Sequence, residues 1–258
     1  MRDSWDDRIH RADELSAVSG PAQALLVFYA YLLRMQKDLY DSFRHRRPTG
    51  DLAGDLTPEM QFAPQLLQMT MHRGPAAMRE GAEAIQGGNR SFEEIVRPFW
   101  HDPSDLDFFG KALAQPYLQR LVDNRVRVLH RDHLRGERRC AVCGGAPQLS
   151  ILEDHAEALE SGGRQLQCAN CLNCWTFRRV VCVACGEEDE HKLGYYRSEE
   201  LPHLRLDSCE TCRRYIKSID LGRLGLAVPL IDEVAGVSLD AWAVERGYRK
   251  IELNLVGM

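Results

Sequence analysis

The chain has 258 residues, is 44% hydrophobic and 28% charged, and carries a formal charge of −5. This is the balance of a soluble globular protein with a sizeable core, and it counts against a non-specific nucleic-acid binder, which presents a basic face. The longest apolar run, Ala24 to Leu33, is too short to cross a bilayer and, coming late and behind an acidic stretch, is misplaced for a secretory signal. A cytoplasmic location without membrane insertion is expected.

Residues 1–137 read as an all-helical bundle domain. Its strongest segment starts near Gly20-Pro21, where proline suits a first turn. Leu25, Leu26, Phe28, Tyr29, Leu32, Leu33, Leu39, Tyr40 and Phe43 follow at helical spacing. The turn-rich run Arg46-Arg47-Pro48-Thr49-Gly50 should end it, with a loop over Asp51 to Glu59. Short helices are expected from Gln61 to His72 and from Ala76 to Gln86, punctuated by Gly74-Pro75 and Gly87-Gly88. Ser91 and Glu94 form a capping-box pattern ahead of Ile95 and Val96. A last helical stretch runs from about Ser104 to Leu134, with Pro116 expected to kink or divide it.

The pattern changes at Gly136. Gln165 to Gln167, Trp175 to Val181 and Tyr215 to Ile219 have strand-like content. Asp232 to Glu245 suggests a closing helix, and the tail from Tyr248 alternates as a strand or an ordered extension would.

All nine cysteines lie from residue 140 onward, and eight form four Cys-x-x-Cys pairs: Cys140/Cys143, Cys168/Cys171, Cys182/Cys185 and Cys209/Cys212. The region repeats. There are 24 residues between Cys143 and Cys168 and 23 between Cys185 and Cys209, and glycine follows the second cysteine at Gly144 and Gly186. A Cys-x-x-Cys knuckle turns tightly around a metal, which is cheapest where positive φ costs nothing. Two matched units imply two tandem zinc-ribbon or rubredoxin-like modules, at 138–180 and 181–258. Each is so small that it needs a staple to fold. Cys140, Cys143, Cys168 and Cys171 are expected to hold one metal ion, and Cys182, Cys185, Cys209 and Cys212 a second. Redox disulfides fit less well, since such motifs occur singly beside a βαβ unit. A tetrahedral set of four thiolates suits zinc or iron; either site is closed, and only iron could also pass an electron.

Cys174 extends the second pair to Cys171-Leu172-Asn173-Cys174, so the ligand register could slip. Aligning Cys171 with Cys212 places Cys174 opposite Tyr215, which argues for Cys168/Cys171 as ligands and Cys174 as a packed or free thiol. His130, His133, His191 and His203 read as solvated, as do the acidic run Glu187 to Glu190 and the pairs Arg138-Arg139, Arg178-Arg179 and Arg213-Arg214. No phosphate loop, nucleophile elbow or zinc-protease helix is present in the sequence.

These residues resemble the formate dehydrogenase accessory protein family, FdhE. The likeness is carried by Cys140-Ala141-Val142-Cys143-Gly144 and by Gln167-Cys168-Ala169-Asn170-Cys171 with Trp175. It continues through Val180-Val181-Cys182-Val183-Ala184-Cys185, Ser208-Cys209-Glu210-Thr211-Cys212 and Tyr215-Ile216-Lys217, and through Ala241, Gly247-Tyr248 and Asn254-Leu255-Val256-Gly257. The early helix with Leu25, Leu26, Phe28, Tyr29, Leu33 and Gln36 is also similar. Cys174 departs from the family pattern, and the N-terminal region is shorter than the family's. The resemblance implies a helical domain followed by two rubredoxin-like modules, iron as the favoured metal with zinc the alternative, and a cytoplasmic role in maturing formate dehydrogenase. The family serves exported molybdenum or tungsten enzymes whose catalytic subunit it binds before export.

The expected function is therefore that of a non-enzymatic assembly factor gripping an immature formate dehydrogenase catalytic subunit, with no oligomeric state specified. The rival readings are a rubredoxin-like single-electron carrier, a zinc-ribbon nucleic-acid binder and a thiol oxidoreductase acting through Cys174.

Overall fold

The computed structural model describes residues 3–18, 20–45, 47–52, 55, 62–88, 90–128, 136–153 and 163–258. Among the described residues the first elements are α1 (Trp5–Ser16), α2 (Gln23–Ser42), α3 (Phe62–Arg73), α4 (Ala76–Gly87), α5 (Phe92–His101) and α6 (Phe108–Asp123). The sheet region follows, with β1 (Pro147–Leu152), β2 (Arg164–Cys168), β3 (Cys174–Thr176), β4 (Leu193–Arg197), β5 (Leu204–Cys209) and β6 (Arg214–Asp220). Helices α7 (Pro229–Ala235) and α8 (Val237–Glu245) and the short β7 (Arg249–Lys250) close the chain.

The helix starts are written in side chains. Ser91 and Glu94 make the predicted capping box at α5, and Ser4 and Asp7 make a second at α1, a helix the periodicity did not single out. Helix α6 is buried along nearly its whole length, against α2 on one side and α5 on the other. Pro116 sits inside α6 without dividing it. Its ring removes the N–H that would bond the Ala112 carbonyl, and Gln36 of α2 replaces that donor, its Nε2 lying 2.9 Å from Ala112 O. The helix ends at Asp123, earlier than predicted, because Asn124 caps it and Arg125 turns into positive φ. Leu129, His130, His133 and Leu134 lie outside the described residues, as does most of the expected 51–59 loop.

The strands form one seven-stranded sheet in the order β3-β2-β1-β6-β5-β4, with β7 beside β6. β1, β2 and β3 run antiparallel to their neighbours within the first unit, as do β4, β5 and β6 within the second. But β7 pairs in parallel with β6, and β1 of the first unit pairs in parallel with β6 of the second, Leu149 to Leu152 against Lys217 to Asp220. No described helix or strand crosses residue 137 or 180, yet the sheet is continuous across the second of these divisions. Of the predicted Trp175–Val181 strand only the first two residues pair. The rest folds over one face of the sheet, where Phe177, Val181 and Val183 pack with Leu166 and Ile216. On the opposite face Leu204, Leu206, Tyr215 and Ile219 pack with Leu239 and Ala243 of α8. The single closing helix that was expected is two, joined at Gly236. Helix α7 wedges between the sheet and the bundle, touching α1, α2, β1 and β6. Among the described residues no helix is long and apolar enough to cross a membrane.

Candidate metal centres

Each knuckle is the same local structure. The N–H of the residue after the second cysteine bonds back to the carbonyl of the first: Gly144 to Cys140 (2.9 Å), Leu172 to Cys168 (3.2 Å), Gly186 to Cys182 (2.9 Å) and Arg213 to Cys209 (2.9 Å). All four residues have positive φ, at 73°, 57°, 83° and 56° in that order. Glycine takes this geometry freely; Leu172 and Arg213 take it at a cost. The glycine signal thus found half of a four-fold device. The turn also aims backbone donors at sulfur, with Val142 N 3.4 Å from Cys140 Sγ and Asn170 N 3.4 Å from Cys168 Sγ.

The fold brings the eight predicted cysteines into two groups, Cys140/Cys143/Cys168/Cys171 and Cys182/Cys185/Cys209/Cys212, each with its sulfurs within 4.8 Å of one another. In the first, Cys140–Cys171 and Cys143–Cys171 are 3.4 Å apart and Cys143–Cys168 3.5 Å. In the second, Cys182–Cys212 and Cys185–Cys209 are both 3.7 Å apart. A disulfide needs about 2.05 Å. Sulfurs placed about 2.3 Å from a tetrahedral ion are roughly 3.8 Å from each other, so both donor sets fit a single ion. Cys174 is outside both groups; burial pushes its thiol up to about 12, which makes it a poor nucleophile.

The two centres differ in surroundings. All four cysteines of the first are buried and belong to the same apolar core as α2 and α6. Hydrogen bonding from Cys143, Cys168 and Cys171 draws the Cys140 thiol far down, while burial pushes Cys168 and Cys171 well above their ordinary value. One thiolate is thus held by neighbouring thiols, and ionising the whole set calls for a cation. In the second centre Cys185 is exposed and Cys212 half-buried. Desolvation raises Cys185, but the Glu187 N–H and the adjacent sulfurs together outweigh it and lower the thiol, whereas burial raises Cys182 and Cys212.

Supporting residues come from distant segments that spacing does not reveal. Gln115 of α6 donates to the Ala169 carbonyl inside the second knuckle (3.1 Å). Trp175 Nε1 bonds Glu137 O (3.1 Å), and Arg138 Nη1 bonds Ala184 O (2.9 Å), tying the start of the first unit to the third knuckle. Lys111 is buried near the first centre, its Nζ on Leu253 O (2.9 Å), and burial lowers its pKa. Glu187 is more than solvated loop, since the Thr211 hydroxyl bonds it (2.6 Å) and helps hold its carboxyl down to about 2. Among the histidines, His191 is exposed as expected. His203 is not: it is buried, its Nε2 2.8 Å from Asp232 Oδ1, and the same carboxylate takes a two-pronged bond from Arg11 of α1.

Comparison with known proteins extends the picture. A family model described as FdhE, C-terminal domain, matches residues 180–256. The protein FdhE homolog of Aquifex aeolicus is 34% identical over 207 residues, 79% of this chain and 71% of that protein. That of Shewanella oneidensis is 22% identical over 204 residues, covering 79% of this chain and 63% of its own length, so the match spans less than two thirds of that relative. In fold, the chain is similar to the crystal structure of the FdhE protein from Pseudomonas aeruginosa, with a TM-score of 0.65 at 23% identity over 100% of this chain and 97% of that one. With its tandem four-cysteine centres behind a helical region and its likeness to the Aquifex aeolicus protein, the chain belongs to the FdhE family.

Proposed function

We propose that this protein is a cytoplasmic, non-enzymatic assembly factor that binds the immature catalytic subunit of a formate dehydrogenase. The observation that carries the reading is the pair of closed four-sulfur centres in a member of the FdhE family. A site whose donors are all protein thiolates leaves no open position for a substrate. We assign Cys140, Cys143, Cys168 and Cys171 to one ion and Cys182, Cys185, Cys209 and Cys212 to the other, with iron favoured and zinc the alternative. The three-part organisation at 1–137, 138–180 and 181–258 then becomes a helical body and two metal ribbons presented as one rigid surface.

The protein's own groups support this role by holding the ribbons still. The knuckle N–H groups face sulfur, Gln115 clamps the second knuckle, and α7 ties sheet to bundle. The test is capture of the formate dehydrogenase catalytic subunit from the native cell, beside formate dehydrogenase activity in a strain lacking the gene. Unchanged activity with no subunit captured would end the proposal.

A second reading is favoured by one feature. Cys185 is exposed, which brings the second centre within reach of an electron-transfer partner. Iron bound there would supply one-electron chemistry and zinc would not. Reversible bleaching of a visible thiolate-to-iron absorption on reduction supports a carrier; a colourless zinc-loaded protein excludes it.

A further inference from the structure

Strand β4 is the last in the sheet. Among the described residues it pairs with β5 alone, in unbroken register from Leu193 opposite Cys209 to Arg197 opposite Arg205. Two flanking bonds fix which backbone groups face inward. Ser198 N reaches Leu204 O (3.3 Å) and Glu210 N reaches Lys192 O (2.9 Å). With a period of two, the N–H and C=O groups of Tyr195 and Arg197 and the C=O of Leu193 point away from β5, while the Leu193 N–H bonds back to the Glu190 carbonyl. Exposed edges are normally blunted by proline, lysine, a bulge or an inward charge. β4 reads Leu193-Gly194-Tyr195-Tyr196-Arg197 and carries none of these, and Tyr195 is 65% exposed.

Both flanks of this edge are shaped. On one, a groove of about 500 Å³ opens beside Tyr195. Its walls carry four guanidinium groups, Arg164, Arg179, Arg205 and Arg214, beside the carboxylates of Asp207 and Glu190 and two sulfurs of the second centre, Cys182 and Cys209. Asp207 is already taken up by Arg205 (2.8 Å) and Arg164 (3.6 Å). On the other flank, Tyr196 meets Trp242 of α8 with ring centroids 4.0 Å apart, and Arg246 lies over the Trp242 ring. A cleft of about 470 Å³ runs between them and Ser238. A strand laid on β4 would send alternate side chains toward an arginine-lined groove and an aromatic cleft.

We propose that the β4 edge takes an extended segment of a partner protein, acidic residues alternating with apolar ones, as an added strand. The identity of the partner rests on the function proposed above; the chemistry of the segment rests on the edge itself.

The test is amide hydrogen exchange on the full-length, metal-loaded protein with a synthetic peptide of alternating Glu and Val, against a Lys–Val peptide of equal length. The Glu–Val peptide should slow exchange at Tyr195 and Arg197, and the Lys–Val peptide should bind about tenfold more weakly. Tyr195→Pro removes an outward N–H without breaking a bond to β5, so metal content and melting should persist while the protection disappears. Should that variant misfold, Tyr195→Glu keeps the strand and should reverse the preference between the peptides. Absent protection, equal protection by both peptides, stronger binding of a single-stranded oligonucleotide, or protection that grows with protein concentration alone (a second copy as occupant) would each overturn the proposal. Capture of the formate dehydrogenase subunit separates the two readings. If wild type and Tyr195→Pro capture it equally, the edge is not the partner's site and the assembly role stands. If wild type captures none while the Glu–Val peptide protects the edge, the assembly role falls and the acidic-strand site stands.

Discussion

The side-chain hydroxyls of Ser150 and Ser218 are 2.7 Å apart, buried in the parallel seam where β1 of the first ribbon meets β6 of the second. Two units that the repeat presents as beads on a string are therefore halves of one sheet. The first centre is also part of the bundle's core, through Gln115 and the packing of Cys140, Cys143, Cys168 and Cys171 with α2 and α6.

That asymmetry changes what losing a ligand should do. Separate modules would make Cys140→Ser damage the first ribbon alone. Because those sulfurs lie in the bundle's core, we expect Cys140→Ser to lose one metal equivalent together with part of the far-UV helix signal. Cys209→Ser should lose one equivalent and leave the signal of α1 to α6 nearly intact. A structural four-ligand site contributes about 10–16 kcal/mol, comparable to the stability of a whole domain, so neither region is expected to survive its own vacancy. Metal analysis and circular dichroism on both variants decide it; equal helix loss in the two would refute the asymmetry.

What could be read from the chain follows from locality. The knuckles, the Ser91/Glu94 cap and the periodic α2 are set by residues a few positions apart, and all were legible. Helix α1 was not, because its apolar face is narrow and includes Arg8, which is buried with its guanidinium bonded to Asp3 and Gln119 and stacked over Trp5. Strands β1, β4 and β5 were not singled out, although Leu149 and Ile151 alternate with Gln148 and Ser150, and Leu204 and Leu206 with Arg205 and Asp207, at the strand period of two. Gln148 and Ser150 are buried where β1 joins β6 of the second ribbon, a contact that no local window contains. Pro116 misled for the same reason, since the donor that mends its helix is Gln36, 80 residues earlier in α2.

Cys174 should be dispensable for metal. Its sulfur is outside the first group, with only weak contacts to Gln167 Nε2 (3.7 Å) and Leu172 O (3.8 Å). We expect Cys174→Ser to retain two metal equivalents and Cys171→Ser to retain one. In the loaded wild type, alkylation near neutral pH should be slow, because burial pushes the one thiol outside both groups up to about 12. Two equivalents in Cys171→Ser would show that the register slips to Cys174.

The knuckle glycines should matter through conformation. Gly186 has φ of 83°, and a Cβ there would meet only Arg138 Nη1, at 3.4 Å. Space is adequate, so the cost of Gly186→Ala is that of forcing an L residue into the left-handed region, about 1–2 kcal/mol. We expect metal to leave Gly186→Ala about tenfold faster than wild type in a chelator challenge, with the first centre unaffected. At the matching position Arg213 already bears this strain (φ 56°) and recovers part of it by stacking on Tyr248 and bonding Arg246 O. Arg213→Gly should accordingly be milder than Gly186→Ala.

Acid should also loosen a buried ionic knot behind β6. Glu233 of α7 is fully buried, with Lys217 Nζ at 2.9 Å, Lys250 Nζ closer still and Asn254 Nδ2 at 2.7 Å. Lys217 also pairs with Asp240 of α8. Burial alone would raise the Glu233 carboxyl, but the two ammonium groups overcome it and bring the value from 4.5 down to about 2. A carboxylate depressed on folding stabilises the native state fully above its unfolded value and loses that contribution as pH falls. The loss should therefore run from about pH 4.5 down to about 2 and amount to roughly 3 kcal/mol. Asp232, held down by His203 and Arg11 against its own burial, titrates in the same direction. Glu233→Gln leaves Lys217 and Lys250 with Asp240 as their remaining carboxylate, so it should cost about 3–5 kcal/mol near neutral pH. The gap between wild type and variant should then narrow on acidification, whatever metal loss does to both. Urea midpoints across that range test the point, and a gap that stays constant or widens as pH falls would show that Glu233 is not ionised in the folded protein.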